Sequence, residues 1–476
     1  MDNMRISGFL ALVLLTATVS AQQVEFNEWF EDATLRIDYE HSGTKDSERF
    51  TLDAAYKGGP WAGSKVNLID TLNRGEFFVK VFDWKTGLLL YSRGFSSVFQ
   101  EWQTTDEAGR EVYRSMIETV NCPYPKRKVQ VSISVRSKYH IMEEKFATVI
   151  DPNDPTQVNK ETRSHGFEVV TLMDNGDISK KVDIVIVGDG YAKEDIAKFK
   201  ADAKHFNDVM FETEPFKSHK AYFNVRAVCA ISQESGIDVP DRNVWKNTAL
   251  NTSYNTFGSA RYILTEDSKA LHDVVGQVPY DFICILINDK RYGGGGIYQQ
   301  YTTTYTIADN EAMAWQRDYV YVHEFGHSFA GLADEYYSSS TGYNEFYPEG
   351  VEPWEPNITR LYDPDNLKWQ ELADPGLPIP TPWGKYSYDS LGSERGKLDR
   401  LAADYYEKRE PIMQAQSDIM HNASLRGKVG AFEGAGYLAK GMYRPSLDCR
   451  MFSLSLVPFD PVCSAAIVEQ IEFYAK

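Results

Sequence analysis

Residues 321 to 337 read YVHEFGHSFAGLADEYY, and within them His323 and His327 bracket Glu324 in an H-E-x-x-H spacing. Histidines four apart stand one turn apart on one helix face, so both imidazoles can reach a single zinc ion. Glu324 then lies beside the metal rather than on it. There its carboxylate can take a proton from a metal-activated water and hand it to a leaving amine, which is what peptide hydrolysis requires. A catalytic zinc site also needs a third protein ligand and one open position. Gly331 ends the helical pattern and Asp334 follows three residues later, with Glu335 as the alternative third ligand.

That offset from a helix-ending glycine is the metzincin arrangement, although the stretch from His327 to Gly331 is one residue longer here. A metzincin floor carries a methionine on a tight turn beneath the metal. Met451, in Cys449-Arg450-Met451, is the first candidate and Met420, in SDIMHN, the rival; either can equally be a core methionine. Tyr443 and Arg444 could stabilise the oxyanion on the attacked carbonyl, or serve structure alone. His421, beside the rival turn, is a candidate substrate contact with packing as its alternative.

The elements that must hold these groups differ along the chain. From Glu25 to about Ile150 the pattern is strand-like, alternating at Leu35, Ile37 and Tyr39 and again at Val129, Val131, Ile133 and Val135, with a hairpin turning at Lys85 to Gly87. The expectation is an antiparallel β-sandwich over residues 22–150. Residues 151–166, with Pro152 and Pro155 and no periodicity, read as a linker. From 167 to 476 the texture is α/β. VDIVIV (182–187) and Phe282 to Ile287 are buried-strand runs, and Ile196, Phe199, Ala203, Phe206 and Met210 make a helical stripe. Asp309 or Asn310 can cap the zinc helix, whose buried side carries Val322, Phe325 and Phe329.

Two glycine-rich stretches need separate readings. GDGYAKED lacks the third glycine of a dinucleotide loop and reads as a tight turn. YGGGGIYQQYTTTYT (292–306) suits either an edge strand, expected at Ile297 to Thr306, or a loose loop. An extended peptide can add to such an edge.

The first residues, MDNMRISGFLALVLLTATVSAQQ, resemble a secretory signal peptide cut after Ala21. No later run is long and apolar enough for a transmembrane helix. With 50 basic against 68 acidic side chains, the net charge of −18 argues against nucleic acid or an anionic membrane as a partner. Five cysteines are too few for a disulfide scaffold; Cys449 and Cys463 could bridge after export, whereas Cys229 and Cys284 read as buried thiols.

Taken together, HEFGHSFAGLADEY (323–336), GDGY (188–191), EPNITR (355–360), FEGAGYLAKGMYRP (432–445) and the DCRM to PVC stretch (448–463) resemble the bacterial zinc metalloendopeptidases typified by immunoglobulin A peptidase. The resemblance implies a secreted, metzincin-like endopeptidase. It puts His323 and His327 on zinc, makes Glu324 the general base, favours Met451 over Met420, and makes the β-rich N-terminal part an accessory domain. It does not imply that immunoglobulin A is the substrate. Set against a secreted, periplasmic or cell-surface endopeptidase acting on protein or peptide are two other readings. One is an inactive binding protein with a structural zinc, and the other a zinc hydrolase of another bond, such as a cell-wall amidase.

Overall fold

The computed structural model describes residues 24–110, 112–160, 165–308, 310–337, 346–399 and 404–475. The expected signal peptide and Asp309, an expected helix cap, lie outside these residues. The architecture is mixed α and β, with eight helices and several sheets among the described residues.

The chain enters through a short helix α1 (Phe26–Trp29) and runs through β1 (Phe30–Thr44), β2 (Ser47–Lys57), β3 (Phe77–Asp83) and β4 (Leu89–Phe95). Helix α2 (Val98–Gln103), capped by the Ser97 hydroxyl, precedes β5 (Arg114–Pro125), β6 (Val129–Arg136), β7 (Met142–Ile150) and β8 (Val158–Asn159). These strands form two four-stranded sheets, ordered β5-β1-β2-β8 and β4-β3-β6-β7. The alternation read from sequence sets their inward faces. Leu35, Ile37 and Tyr39 from one sheet share a core with Val79, Val81, Val131 and Ile133 from the other. Each such side chain, once buried, contributes about 1.5–3 kcal/mol.

Within the stretch expected as a linker, Val158 and Asn159 add to β2 as a short parallel strand. Asx turns at Asp151 and Asp154 redirect the chain there, and Val158 enters the core.

The second half is organised by one six-stranded sheet. Its strands are β9 (Val169–Met173), β10 (Val182–Asp189), β11 (Phe223–Val228), then, beyond a small pair β12 (Thr252–Ser253) and β13 (Leu264–Thr265), β14 (Phe282–Ile287), β15 (Gly294–Ile297) and β16 (Tyr301–Tyr305). The order is β15-β16-β14-β10-β11-β9. The inner strands are parallel, and β9 and β15 pair antiparallel at the two edges.

Both faces of this sheet are covered, which is why β10 and β14 read as unbroken apolar runs. Ile184, Ile186, Cys284 and Leu286 point into one core with α3 (Ile196–Glu212), α5 (Ala314–Ala330) and α8 (Pro461–Ala475). Val185, Val187, Ile283 and Ile285 point into another with α4 (Ser268–Val275) and with Phe99, Trp102 and Met116 from the N-terminal half. The two halves of the chain therefore share a core. Between α5 and α8 lie α6 (Lys385–Gly396), α7 (Tyr405–Met420) and the hairpin β17 (Phe432–Ala435) and β18 (Leu438–Arg444).

Two expectations are corrected here. The edge strand is Gly294–Ile297, and Tyr301–Tyr305 lies one position in and fully buried. Its threonines tolerate burial because their hydroxyls are bonded: Thr303 donates to Ile263 O at 2.7 Å, and Thr302 pairs with Ser328. Helix α5 begins after a 3₁₀ turn at Glu311–Met313, with Met313 as its N-cap residue and no side-chain cap among the described residues; Asn310 offers its carbonyl to Met313 N–H.

GDGY forms the turn after β10. Buried Asp189 there accepts hydrogen bonds from the Thr248 and Thr252 hydroxyls and from the Leu250 and Thr252 N–H groups, organising the loop that follows β11.

Candidate metal centre and its cleft

Helix α5 carries its chemistry on one side and its anchor on the other. Tyr321, Val322, Phe325 and Phe329 pack into the core against the sheet, with the Phe282 ring tilted against Phe329 at 4.6 Å between ring centroids. His323, Glu324 and His327 face a cleft. Gly331 ends the helix at φ 64°, a left-handed conformation that favours glycine, and its N–H and that of Leu332 close back on the His327 and Gly326 carbonyls. The chain then folds back over the helix.

This reversal brings Asp334 onto the two histidines. Asp334 Oδ1 stands 3.0 Å from His323 Nε2 and 3.3 Å from His327 Nε2, and the two Nε2 atoms are 3.3 Å apart. Each imidazole is oriented through its other nitrogen. His323 Nδ1 donates to Arg450 O at 3.1 Å, and His327 Nδ1 to Leu332 O at 2.5 Å. With both protons on Nδ1, both Nε2 atoms present lone pairs to the same point as the carboxylate oxygen.

Asp334 is likewise held from behind. Tyr437 donates to its Oδ2 at 2.6 Å and Tyr336 also bonds the carboxylate, whereas buried Oδ1 has no hydrogen-bond donor among the described residues. Three converging lone pairs, two nitrogen and one oxygen, fit a tetrahedral zinc with one position left open.

The electrostatics agree. Burial lowers the His327 imidazole, but Asp334 outweighs it and lifts it to about 9. Burial opposes ionisation of Asp334, but the two histidines hold it well below the usual carboxylate range. The site thus favours positive charge at its centre. Glu324, beside it, is raised by burial against the pull of both imidazoles.

The floor is the segment Cys449–Met451. Arg450 supplies the carbonyl under His323, and Met451 is fully buried, with its sulfur 3.1 Å from where a Cβ on Gly326 would stand. Met420 lies at the end of α7 in the periphery of the core and does not line the cleft.

Glu335 turns away from the histidines. Its Oε1 accepts from Asn357 Nδ2 at 3.0 Å and from Cys463 Sγ at 3.2 Å. Tyr443 packs beside Leu367, Trp369 and Val429 and does not line the cleft. Buried Arg444 donates to the Gly434 and Leu447 carbonyls and stacks on Phe452, a structural post. His421 sits exposed at the end of α7, bonded to Ser417 O.

The cleft encloses about 760 Å³. Along one side runs β15, and here the glycine run acquires its reason. A Cβ on Gly296 would stand 2.3 Å from Glu324 O, so only glycine lets the strand lie this close to α5. Tyr305 N–H bonds Gly293 O, so Gly293, Gly295 and Ile297 face β16 and Gly294 and Gly296 present their backbone outward. Gly294 is engaged by Arg261 O and Ile263 N–H, and Gly296 lines the cleft. The opposite half of the chain supplies Glu76, Ser96, Gln100 and Glu101 to the wall, and Trp354 Nε1 donates to Glu76 Oε1 at 2.7 Å.

Sequence comparison now decides the family. Residues 170–471 match the family described as IgA Peptidase M64, and residues 25–147 match the Peptidase M64 N-terminus. The chain belongs to the M64 peptidase family. No curated protein matches it. As an M64 peptidase it acts on protein substrates, and its His323, His327 and Asp334 all lie within the matched region. No helix among the described residues of this M64 peptidase is long and apolar enough to cross a membrane.

Proposed function

We propose that the chain is a secreted bacterial zinc endopeptidase of metzincin-like design, with His323, His327 and Asp334 as metal ligands and Glu324 as general base. The observation that carries this is the convergence of two Nε2 lone pairs and one unshared carboxylate oxygen, each fixed from behind, with a free carboxylate alongside. Bound zinc supplies Lewis acidity to the scissile carbonyl and to the attacking water. Glu324 takes a proton from that water and returns it to the leaving nitrogen.

The substrate passes extended at the Gly296 end of β15, its backbone paired with the outward N–H and C=O of Gly296. That backbone-reading edge supports a peptide substrate over a cell-wall amidase's. Met451 is the floor methionine. Tyr336 and Tyr437 are positioning residues for Asp334.

In this reading residues 1–21 are a signal peptide removed on export. Residues 22–150 form a β-sandwich accessory domain, 151–166 a linker that lends Val158 and Asn159 to that sandwich, and 167–476 the catalytic domain. The separate family matches at 25–147 and 170–471 support that division.

The test is zinc content and casein cleavage measured together on the chain from Gln22. The expected result is one zinc at this centre with cleavage in the wild type, zinc without cleavage in Glu324→Gln, and loss of both in Asp334→Ala. Retained cleavage in Glu324→Gln would falsify the mechanism.

A further inference from the structure

Directly behind the first centre, on the far side of the 334–335 backbone, four more donors meet. Glu335, Cys449, Asp460 and Cys463 are all buried, and one ligand atom from each lies within 4.8 Å of every other. They come from three separate places: the loop after α5, the floor turn under His323, and the first turn of α8.

We infer that this cluster is a second metal site, a structural zinc held by two thiolates and two carboxylates. The sulfurs of Cys449 and Cys463 are 3.8 Å apart. Two thiolates on one tetrahedral zinc, each at about 2.3 Å, stand about 3.8 Å apart, whereas a disulfide requires about 2.05 Å. Cys463 Sγ lies 3.2 Å from Glu335 Oε1, close to the about 3.5 Å between a sulfur and a carboxylate oxygen on the same ion.

The carboxylates carry the second observation. Asp460 spends Oδ1 on the N-terminus of α8, accepting from Val462 and Cys463 N–H at 2.8 Å each, and its Oδ2 is buried without a partner. Glu335 spends Oε1 on Asn357, and its Oε2 is likewise buried without a partner. Glu335 is 0 % exposed and Asp460 5 %. The two carboxylates also meet each other, so they need either a shared proton or a shared cation, and the two sulfurs beside them favour the cation.

Cys449 is also arranged as a metal thiolate. Its sulfur accepts N–H bonds from Met451 at 3.4 Å and Asp460 at 3.3 Å, contacts that stabilise negative charge on sulfur. A Cys449–Cys463 disulfide would leave both carboxylate oxygens unaccounted for.

Such an ion would tie three things with one knot: Glu335, next in sequence to Asp334; Cys449, next to the carbonyl that orients His323; and the start of α8. Four protein donors leave a tetrahedral ion no open position, so its role is structural.

The test uses the His323→Ala/His327→Ala chain, which empties the first centre and leaves the second untouched. Elemental analysis is expected to give about two zinc ions per wild-type chain and about one in this variant. X-ray absorption on the variant should show about two sulfur neighbours at about 2.3 Å. Cobalt substitution in the same variant should give a thiolate charge-transfer band, lost on adding Cys463→Ser. A variant that carries no zinc and shows reactive thiols overturns the inference, and so does an intact mass two hydrogens lighter with Cys449 and Cys463 linked. The first centre can fail its own test without affecting this one, because the zinc read here sits on sulfur.

Discussion

Two buried histidine–carboxylate clusters in this molecule use the same residue types to opposite ends. In the N-terminal half, His41 lies between the rings of Phe50 and Phe99, each 4.2 Å away. Its Nδ1 meets Glu118 at 3.0 Å and its Nε2 meets Glu48 at 3.1 Å. Glu118 is further satisfied by Tyr39, Ser97 and the Phe99 N–H. Both ring nitrogens face carboxylates, whose charge raises the ring against its burial and favours a proton on each nitrogen. At His323 and His327 one nitrogen of each ring faces a backbone carbonyl instead, which fixes the proton there and frees Nε2. The partner of the second nitrogen thus decides whether a histidine beside an acid binds a proton or a metal.

The comparison is broken most severely at Glu324. Glu324→Gln should lower casein turnover by roughly 10²–10⁴-fold while zinc content holds, because the general base is removed and the ligands are not. The corresponding break in the other cluster is His41→Gln. This should leave zinc stoichiometry intact and cost about 3–5 kcal/mol in denaturant unfolding, the penalty for stranding a buried carboxylate. A smaller effect is expected at Tyr437→Phe, which loosens Asp334 without removing a ligand. Zinc affinity should fall about 10–100-fold by competition with a chelating dye, and an unchanged affinity would remove Tyr437 from its positioning role.

The subtlest separation is by pH. Burial lowers His41, but Glu118 and then Glu48 outweigh it, so its folded value is raised. The stability it contributes is full below its unfolded value of about 6.5 and is lost as pH rises through the folded value. The stability gap between wild type and His41→Gln should therefore narrow as pH rises. At the metal centre the sign reverses: protons compete for the imidazoles, so zinc affinity should weaken as pH falls.

What the sequence disclosed follows from locality. H-E-x-x-H, Gly331 and Asp334 lie within twelve residues of one another, and helix periodicity with a glycine stop suffices to bring them to one point. The buried runs of β10 and β14 were legible because both faces of the sheet are covered. Tyr437 was not, because it reaches Asp334 across about a hundred residues by way of a hairpin turn in which it adopts φ 64°. Tyr443, six positions along the same motif, is the tyrosine the sequence singles out, and it points into a different cluster. The glycine run was ambiguous since its meaning, contact between β15 and α5, exists only in three dimensions. The Thr-rich strand reads as an edge because hydroxyl composition does not reveal that the hydroxyls find partners inside.

The bond from Trp354 to Glu76 joins two walls of the cleft that belong to opposite halves of the chain. Its consequence is for inheritance: a change at Glu76 in the first half is felt at Trp354 in the other wall of the same cleft, so the two stretches must vary together. Because Phe99, Trp102 and Met116 of the first half also share a core with β10 and β14, the second half cannot be moved to a foreign partner without baring that apolar face.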